Sequence, residues 1–260
     1  MANSYPGECA YCGKQVGAFE GTLVSIGSRR APAHIPCTTE RRPSSDGKIR
    51  RPLSHVSPLA WELQAVLSQA CRRIVVAGSI RRGAPEVSDI ELVAIPKVET
   101  LETGAVDLFK KPELVEYNML WKAVDAFAPN YVRGDGAEKS RSLLWPLRRK
   151  GEFLGSVQVD IFTATPENWG LILAIRTGPA EFSRRLVTAL ARNNRPSHGG
   201  FVRNADGVRP ERVSGGIPSW SDSQKEAMAK IDTREERDVF RLARLPMLPA
   251  NERATNLLTS

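Results

Sequence analysis

Two carboxylates two residues apart, Asp89 and Glu91, stand in the run Ser88-Asp89-Ile90-Glu91-Leu92-Val93-Ala94-Ile95. A run of this kind reads as a strand, on which residues i and i+2 share a face, so the two acids project side by side. Like charges held that close repel unless divalent cations lie between them, and an all-oxygen donor set suits magnesium or manganese. Just upstream, Ala77-Gly78-Ser79-Ile80-Arg81-Arg82-Gly83 leaves an apolar strand through a Gly-Ser turn. The backbone N–H groups and hydroxyl of such a turn can bind phosphate oxygens, and Arg82 adds charge-assisted bonds. A third acid, Asp160, sits between Val159 and Ile161 in the strand pattern Val157–Phe162, where a charge without a use is costly. Three carboxylates holding two divalent ions beside a phosphate cradle are what phosphoryl transfer requires: one ion lowers the pKa of an attacking hydroxyl, the other neutralises the β- and γ-phosphates of a nucleotide. A bare Asp-x-Glu is common by chance and reads as the solvated face of an edge strand; the cradle upstream favours the site.

A second constellation lies near the N-terminus. Cys9 and Cys12 form a Cys-x2-Cys pair, followed after 21 residues by His34-x2-Cys37. This pattern supplies two knuckles and four protein ligands, which closes a tetrahedral zinc site and leaves no position open for catalysis. A segment this short has almost no core, so a structural zinc is the expected staple. The fourth cysteine, Cys71, falls in an amphipathic helical pattern and counts as a small buried apolar side chain.

The elements that must position these groups follow from periodicity. Leu59, Leu63, Val66, Leu67 and Ala70 recur at helical spacing behind a Ser57-Pro58 start, and Ile74–Ala77 is a short buried strand. Ile90–Ile95 is the next strand, ended by Pro96. Residues 112–127 read as a helix with Leu114, Val115, Leu120, Val124 and Phe127 inward, and Ser142–Leu147 and Val157–Phe162 as further strands. Helices are expected at Pro166–Ile175, Ala180–Arg192, Ser221–Ile231 and Arg234–Leu242, the last with a Thr233/Glu236 capping box. Strands in adjacent pairs, too close for parallel crossovers, make the fold class α+β with a mixed or antiparallel sheet. The expected organisation is a zinc mini-domain over residues 1–40, a basic linker over 41–57, a catalytic unit over 58–195 and a smaller C-terminal unit over 196–260. The linker arginines Arg41, Arg42, Arg50 and Arg51 suit a phosphate backbone or solvent alike.

Composition bounds the class. The 260 residues carry 37 Lys plus Arg against 29 Asp plus Glu, a net charge of +8, with 41% hydrophobic and 25% charged residues. That balance excludes a disordered or fibrous chain, and the surplus charge favours a polyanionic partner. No apolar run reaches the roughly 18 residues of a membrane helix, and Met1–Pro6 lacks the charged head and apolar middle of a signal peptide, so no membrane partner and a cytoplasmic location are expected.

The string GSIRRGAPEVSDIELVAIPK resembles the palm motif of family X DNA polymerases, the polymerase-beta-like nucleotidyltransferases, in which Gly-Ser, two arginines and Gly precede a paired-carboxylate strand. VQVDIFTATPENWG is similar to the strand carrying that family's third metal ligand, and IRTGPAEFSRRL to its Thr-Gly-Ser segment and nucleotide-binding helix. GGFVRNADGVRP through DVFRLARLPMLPANER resembles its thumb, so the likeness runs from about residue 55 to 255. The resemblance implies a palm with a thumb-like subdomain. It makes Asp89, Glu91 and Asp160 the ligands of two Mg2+ or Mn2+ ions, Gly78, Ser79 and Arg82 triphosphate contacts, Thr177 and Gly178 part of the sugar and base pocket, and Ser183 a base contact. The implied reaction joins a nucleoside monophosphate from a dNTP to a DNA 3′-hydroxyl and releases pyrophosphate. The alternatives are transfer to RNA, a protein or a small molecule, or a nucleic-acid-binding module without activity. This chain departs from the pattern with Glu91 where the polymerases have Asp, Ile175-Arg176 in place of an aromatic pair, and Pro179 in place of Ser. Nothing upstream of residue 55 resembles the lyase and fingers regions, so lyase chemistry is not expected.

Overall fold

The stretch Leu92-Val93-Ala94-Ile95 is satisfied only where both faces of a strand are covered, and it lies inside a four-stranded sheet. The structure, a computed structural model, describes residues 2–9, 15–26, 29–34, 49–103, 113–127, 139–149 and 152–253. At the N-terminus, β1 (Gly7–Glu8) pairs antiparallel with β2 (Gln15–Val16), and β3 (Gly21–Ile26) with β4 (Arg29–His34). Then come β5 (Arg51–Pro52), α1 (Leu53–Ser68), β6 (Cys71–Val76), the single turn α2 (Gly78–Arg81), β7 (Glu86–Val87), β8 (Asp89–Pro96) and β9 (Val98–Thr103). They are followed by β10 (Glu113–Asn118), α3 (Met119–Phe127), β11 (Ser140–Arg149) and β12 (Glu152–Thr163). Helices α4 (Trp169–Thr177) and α5 (Ala180–Arg192) precede short strands β13 (Ser197–His198), β14 (Phe201–Arg203), β15 (Arg212–Ser214) and β16 (Ile217–Ser219). The described chain closes with α6 (Asp222–Ala227), β17 (Lys230–Ile231), α7 (Glu236–Leu242) and a 3-10 turn at Ala250–Glu252.

The main sheet runs β11-β12-β8-β6, with β12 and β8 parallel and the outer pairs antiparallel. The fold is therefore α+β with a mixed sheet. Ile90, Leu92 and Ala94 of β8 face a core built from Val56, Ala60, Leu63 and Leu67 of α1 and Leu120, Trp121 and Val124 of α3. Val93 and Ile95 face the other way, against Trp169 and Leu173 of α4. The alternation that puts Val93 and Ile95 on this second face puts Asp89 and Glu91 there too. A third core joins α4, α5 and α7 through Leu171, Phe182, Leu186, Val239 and Phe240. Among the described residues no helix is long and apolar enough to cross a membrane.

Several expected elements are corrected. The helix expected over 112–127 is a strand followed by a shorter helix, because Glu113–Asn118 pairs residue for residue with Val98–Thr103 and leaves Leu114 exposed. Cross-strand pairing outweighs helical spacing here, and Asn118 Oδ1 accepts the Trp121 N–H at the start of α3. Leu120 and Val124 are buried as expected, whereas Phe127 is exposed. Cys71 is buried but begins a strand, and burial pushes its thiol up to about 11. Helix α1 starts at Leu53, so Pro58 lies inside it. Arg51 is buried and donates to Ser156 O at 2.8 Å, which makes residues 51–57 part of the sheet unit and not linker. Residues 41–48 lie outside the described residues. The helix expected over Ser221–Ile231 stops at Ala227, and Lys230–Ile231 pairs with β14. The box that caps α7 is Glu235/Asp238; the backbone of Thr233 instead accepts from Gly170 N and donates to Glu167 O.

Glu236 is free of that cap because it turns inward. Its carboxylate takes Arg81 through two bonds of 2.7 and 2.9 Å and Arg253 through one of 2.6 Å, while Arg81 also donates to Thr177 Oγ1 at 2.7 Å. Burial alone would raise the Glu236 carboxyl, but the bonds and charges of Arg81 and Arg253 hold it below its ordinary value. The fully buried Arg253 guanidinium and the turn at Arg81 thus share one carboxylate. Glu236→Gln should cost about 3–5 kcal/mol in a denaturant titration, since it strands two arginines. Arg184→Ala, which removes an exposed pair with Glu181, should stay within about 1 kcal/mol of the parent.

Candidate active site

A cleft of about 620 Å³ opens where the second face of β8 passes beyond the cover of α4. Asp89 and Glu91 line it from β8, and Asp160 from β12. The parallel register pairs Asp160 with Glu91 and Gln158 with Asp89, so three acids from two distant segments share one face. Val159 and Ile161 point into the core, fully buried, which leaves Asp160 on the open side. Its carboxylate is oriented by Ser142 Oγ at 2.5 Å and by Gln158 Nε2 at 2.9 and 3.0 Å. Ser142 is the direct cross-strand partner of Asp160 on β11.

Glu91 carries the electrostatic strain of the arrangement. Burial, then the charges of Asp89 and Asp160, push its carboxyl up to about 7, against the opposing pull of Arg176 and Arg82. Gly78 lets the chain pass this group. Its φ is +61°, and a Cβ there would overlap Glu91 Oε2, so only glycine fits. The turn it begins places Ser79 and Arg82 on the cleft wall. Ser79 Oγ is buried and, among the described residues, has no hydrogen-bond partner. Arg82 Nη1 donates to Thr177 O at 2.5 Å, and its Nε is also buried without a partner among the described residues. Burial lowers the Arg82 guanidinium from its ordinary value, while Glu91 and Asp89 resist the shift.

The remaining residues divide. Gly178 and Ser183 line the cleft, but the Ser183 hydroxyl donates to Ile175 O at 2.7 Å and so braces the end of α4. Thr177, expected with Gly178 as part of a sugar and base pocket, is fully buried, and its hydroxyl accepts from Arg81 within the Arg81–Glu236 network. Near the N-terminus, Cys9 is buried and its Sγ accepts the backbone N–H of His34 at 3.4 Å, while His34 Nε2 lies 3.0 Å from Gln15 O. Cys12 and Cys37 lie outside the described residues.

Sequence reasoning missed Ser142 and Gln158 as holders of Asp160, Arg50 on the cleft wall, and the position of Arg176 beside the acids. Strand alternation puts Gln158 on the face of Asp160, a signal that was present; the Ser142 partnership needs the register of β11, which no local pattern specifies.

The donor set fits divalent cations in chemistry: three carboxylates line one cleft, and burial together with the other two acids pushes Glu91 up to about 7, a crowding that a bound cation would relieve. As the side chains stand, no three His, Cys, Asp or Glu groups among the described residues converge into a finished metal cage. No model of a known protein family and no curated protein matches this sequence.

Because the folded state raises Glu91 from the ordinary 4.5 to about 7, it binds a proton more tightly than the unfolded chain does. That contribution is whole below about pH 4.5 and lost as the pH rises through about 7. In chelator, unfolding free energy should therefore fall more over this window in the parent than in Glu91→Gln. Equal slopes for the two would remove Glu91 as the strained group.

Proposed function

We propose that this chain is a nucleotidyltransferase of the polymerase-beta-like kind, which joins a nucleoside monophosphate from a dNTP to a DNA 3′-hydroxyl and releases pyrophosphate. The observation that carries the reading is the cleft itself: Asp89, Glu91 and Asp160 share it with Ser79 and Arg82, and the buried Ser79 hydroxyl has no partner there among the described residues. Asp89, Glu91 and Asp160 would hold two Mg2+ or Mn2+ ions, which when bound lower the pKa of the attacking hydroxyl and neutralise charge on the phosphates. Ser79 Oγ and the Arg82 guanidinium bind triphosphate oxygens, a neutral and a charge-assisted contact that orient the leaving group. Asp160, braced by Ser142 and Gln158, is the carboxylate on the acceptor side, and its fixed direction spares the reorganisation that a mobile acid would require. The net charge of +8 and Arg50 on the cleft wall favour a polyanionic acceptor.

Cys9, Cys12, His34 and Cys37 would hold one structural zinc. The support is local: the His34 N–H on the Cys9 sulfur stabilises a thiolate, the form that a metal takes.

A labelled DNA primer, dNTPs and Mg2+ or Mn2+, with and without a template strand, test the main reading. Extension is expected, and Asp160→Ala should lower its rate by about a thousandfold or more while the circular dichroism stays that of the parent. No extension of any primer, or extension unaltered by Asp160→Ala, would refute the assignment. Metal analysis of protein purified without chelator should find about one zinc per chain, and Cys9→Ser should lose it.

A further inference from the structure

Arg176 ends α4 on the wall of the cleft. Its guanidinium carbon lies 3.6 Å from the ring centroid of Phe162, which is two residues beyond Asp160 on the same face of β12. The two arginines whose charges act on Glu91 are held differently. Arg82 is tied to the Thr177 carbonyl and belongs to the phosphate turn. Arg176 is exposed as a residue, yet its guanidinium reaches into the cleft wall, where burial lowers it from its ordinary value, and stacking on Phe162 is the contact that holds its head. Its charge nevertheless acts on both Glu91 and Asp160.

Arg176 and Phe162 also form part of the lining of an adjoining cavity of about 510 Å³, with Asn168, Ile172 and Phe201. The pair is thus a partition with space on either side. A long side chain held by stacking can swing across such a partition by rotamer change, without moving the backbone.

We propose that Arg176 is the resident counter-cation of the acidic cleft: it balances the carboxylates while no divalent ion is bound, opposes a metal that arrives alone, and swings toward the adjoining cavity when metal arrives with a triphosphate. This rests on the reading of Asp89, Glu91 and Asp160 as metal ligands. The physical basis is direct. A guanidinium beside the acids repels any cation approaching them, whereas a triphosphate brings negative charge that cancels the repulsion. Arg176 acts as a positioning residue in this account, through the carboxylates and not on the substrate.

The test titrates Mn2+ alone into the full chain and reads free Mn2+ by its paramagnetic resonance signal. Arg176→Met keeps an apolar stem on Phe162 and removes the charge, and it should bind Mn2+ about tenfold more tightly than the parent at low salt. Arg176→Lys should bind as the parent does, and added salt should shrink the Met effect. Arg176→Gln, a second neutral variant, should move in the same direction as Met. A damaged site would lose metal affinity, so a gain is not a structural side effect. Equal or weaker Mn2+ binding in both neutral variants overturns the counter-cation, and the metal reading then survives if Asp160→Asn abolishes the binding seen in the parent. No Mn2+ binding by any of these proteins at millimolar concentration overturns both.

Discussion

The parallel pairing of β8 with β12 is the constraint on which the candidate site depends. It brings two segments separated by roughly seventy residues into a single register, with Asp160 beside Glu91. Parallel strands need a crossover and burial on both faces, and β8 meets that demand with Ile90, Leu92 and Ala94 against α1 and α3, and Val93 and Ile95 against α4. The cleft exists because this cover stops short. The apolar end of the second face lies under Trp169 and Leu173, while the acidic end of the same face stays open. One alternation along one strand thus divides core from site.

A buried ion network then fixes the turn at Gly78–Arg81 to helices α4 and α7. Arg81 follows Ser79 by two residues, and its guanidinium is shared among Glu236 of α7 and Thr177 of α4, with Arg253 closing the other side of the carboxylate. Removing charges from water is expensive unless each is paired and hydrogen-bonded, and here each partner is. The cleft wall at Arg82 and the end of α4 cannot shift independently of this cluster, because Arg82 donates to the carbonyl of the same Thr177. Precision at the site is supplied from behind it.

Electrostatics inside the cleft run against comfort. Glu91 is crowded by burial and by two further acids, and Gly78 is required so that the chain can pass its oxygen. Such strain is stable in a fold only if the surrounding packing over-determines it. Asp160 is held by Ser142 and Gln158, and Arg176, stacked on Phe162, adds a positive charge to the same cleft wall.

Local pattern determined a good deal. The alternation of Asp89, Ile90 and Glu91, the Gly-Ser turn after an apolar strand and the apolar flanks of Asp160 are all visible in a dozen residues each, because strand periodicity and turn chemistry are local physics. They made the α+β class and the three acids legible. What local pattern missed depends on partners far away in sequence. Helical spacing over 113–118 lost to a strand only because Val98–Thr103 was there to pair with it. Thr177 reads as a site residue in its motif, yet its buried hydroxyl accepts from Arg81, which Glu236 holds in turn. Arg51 reads as linker charge, yet a carbonyl on β12 buries it. Types and spacing along the chain determined which groups were available for chemistry. Register, burial and ion pairing across the fold decided which of them face the cleft, since those energies belong to pairs of residues and not to single positions.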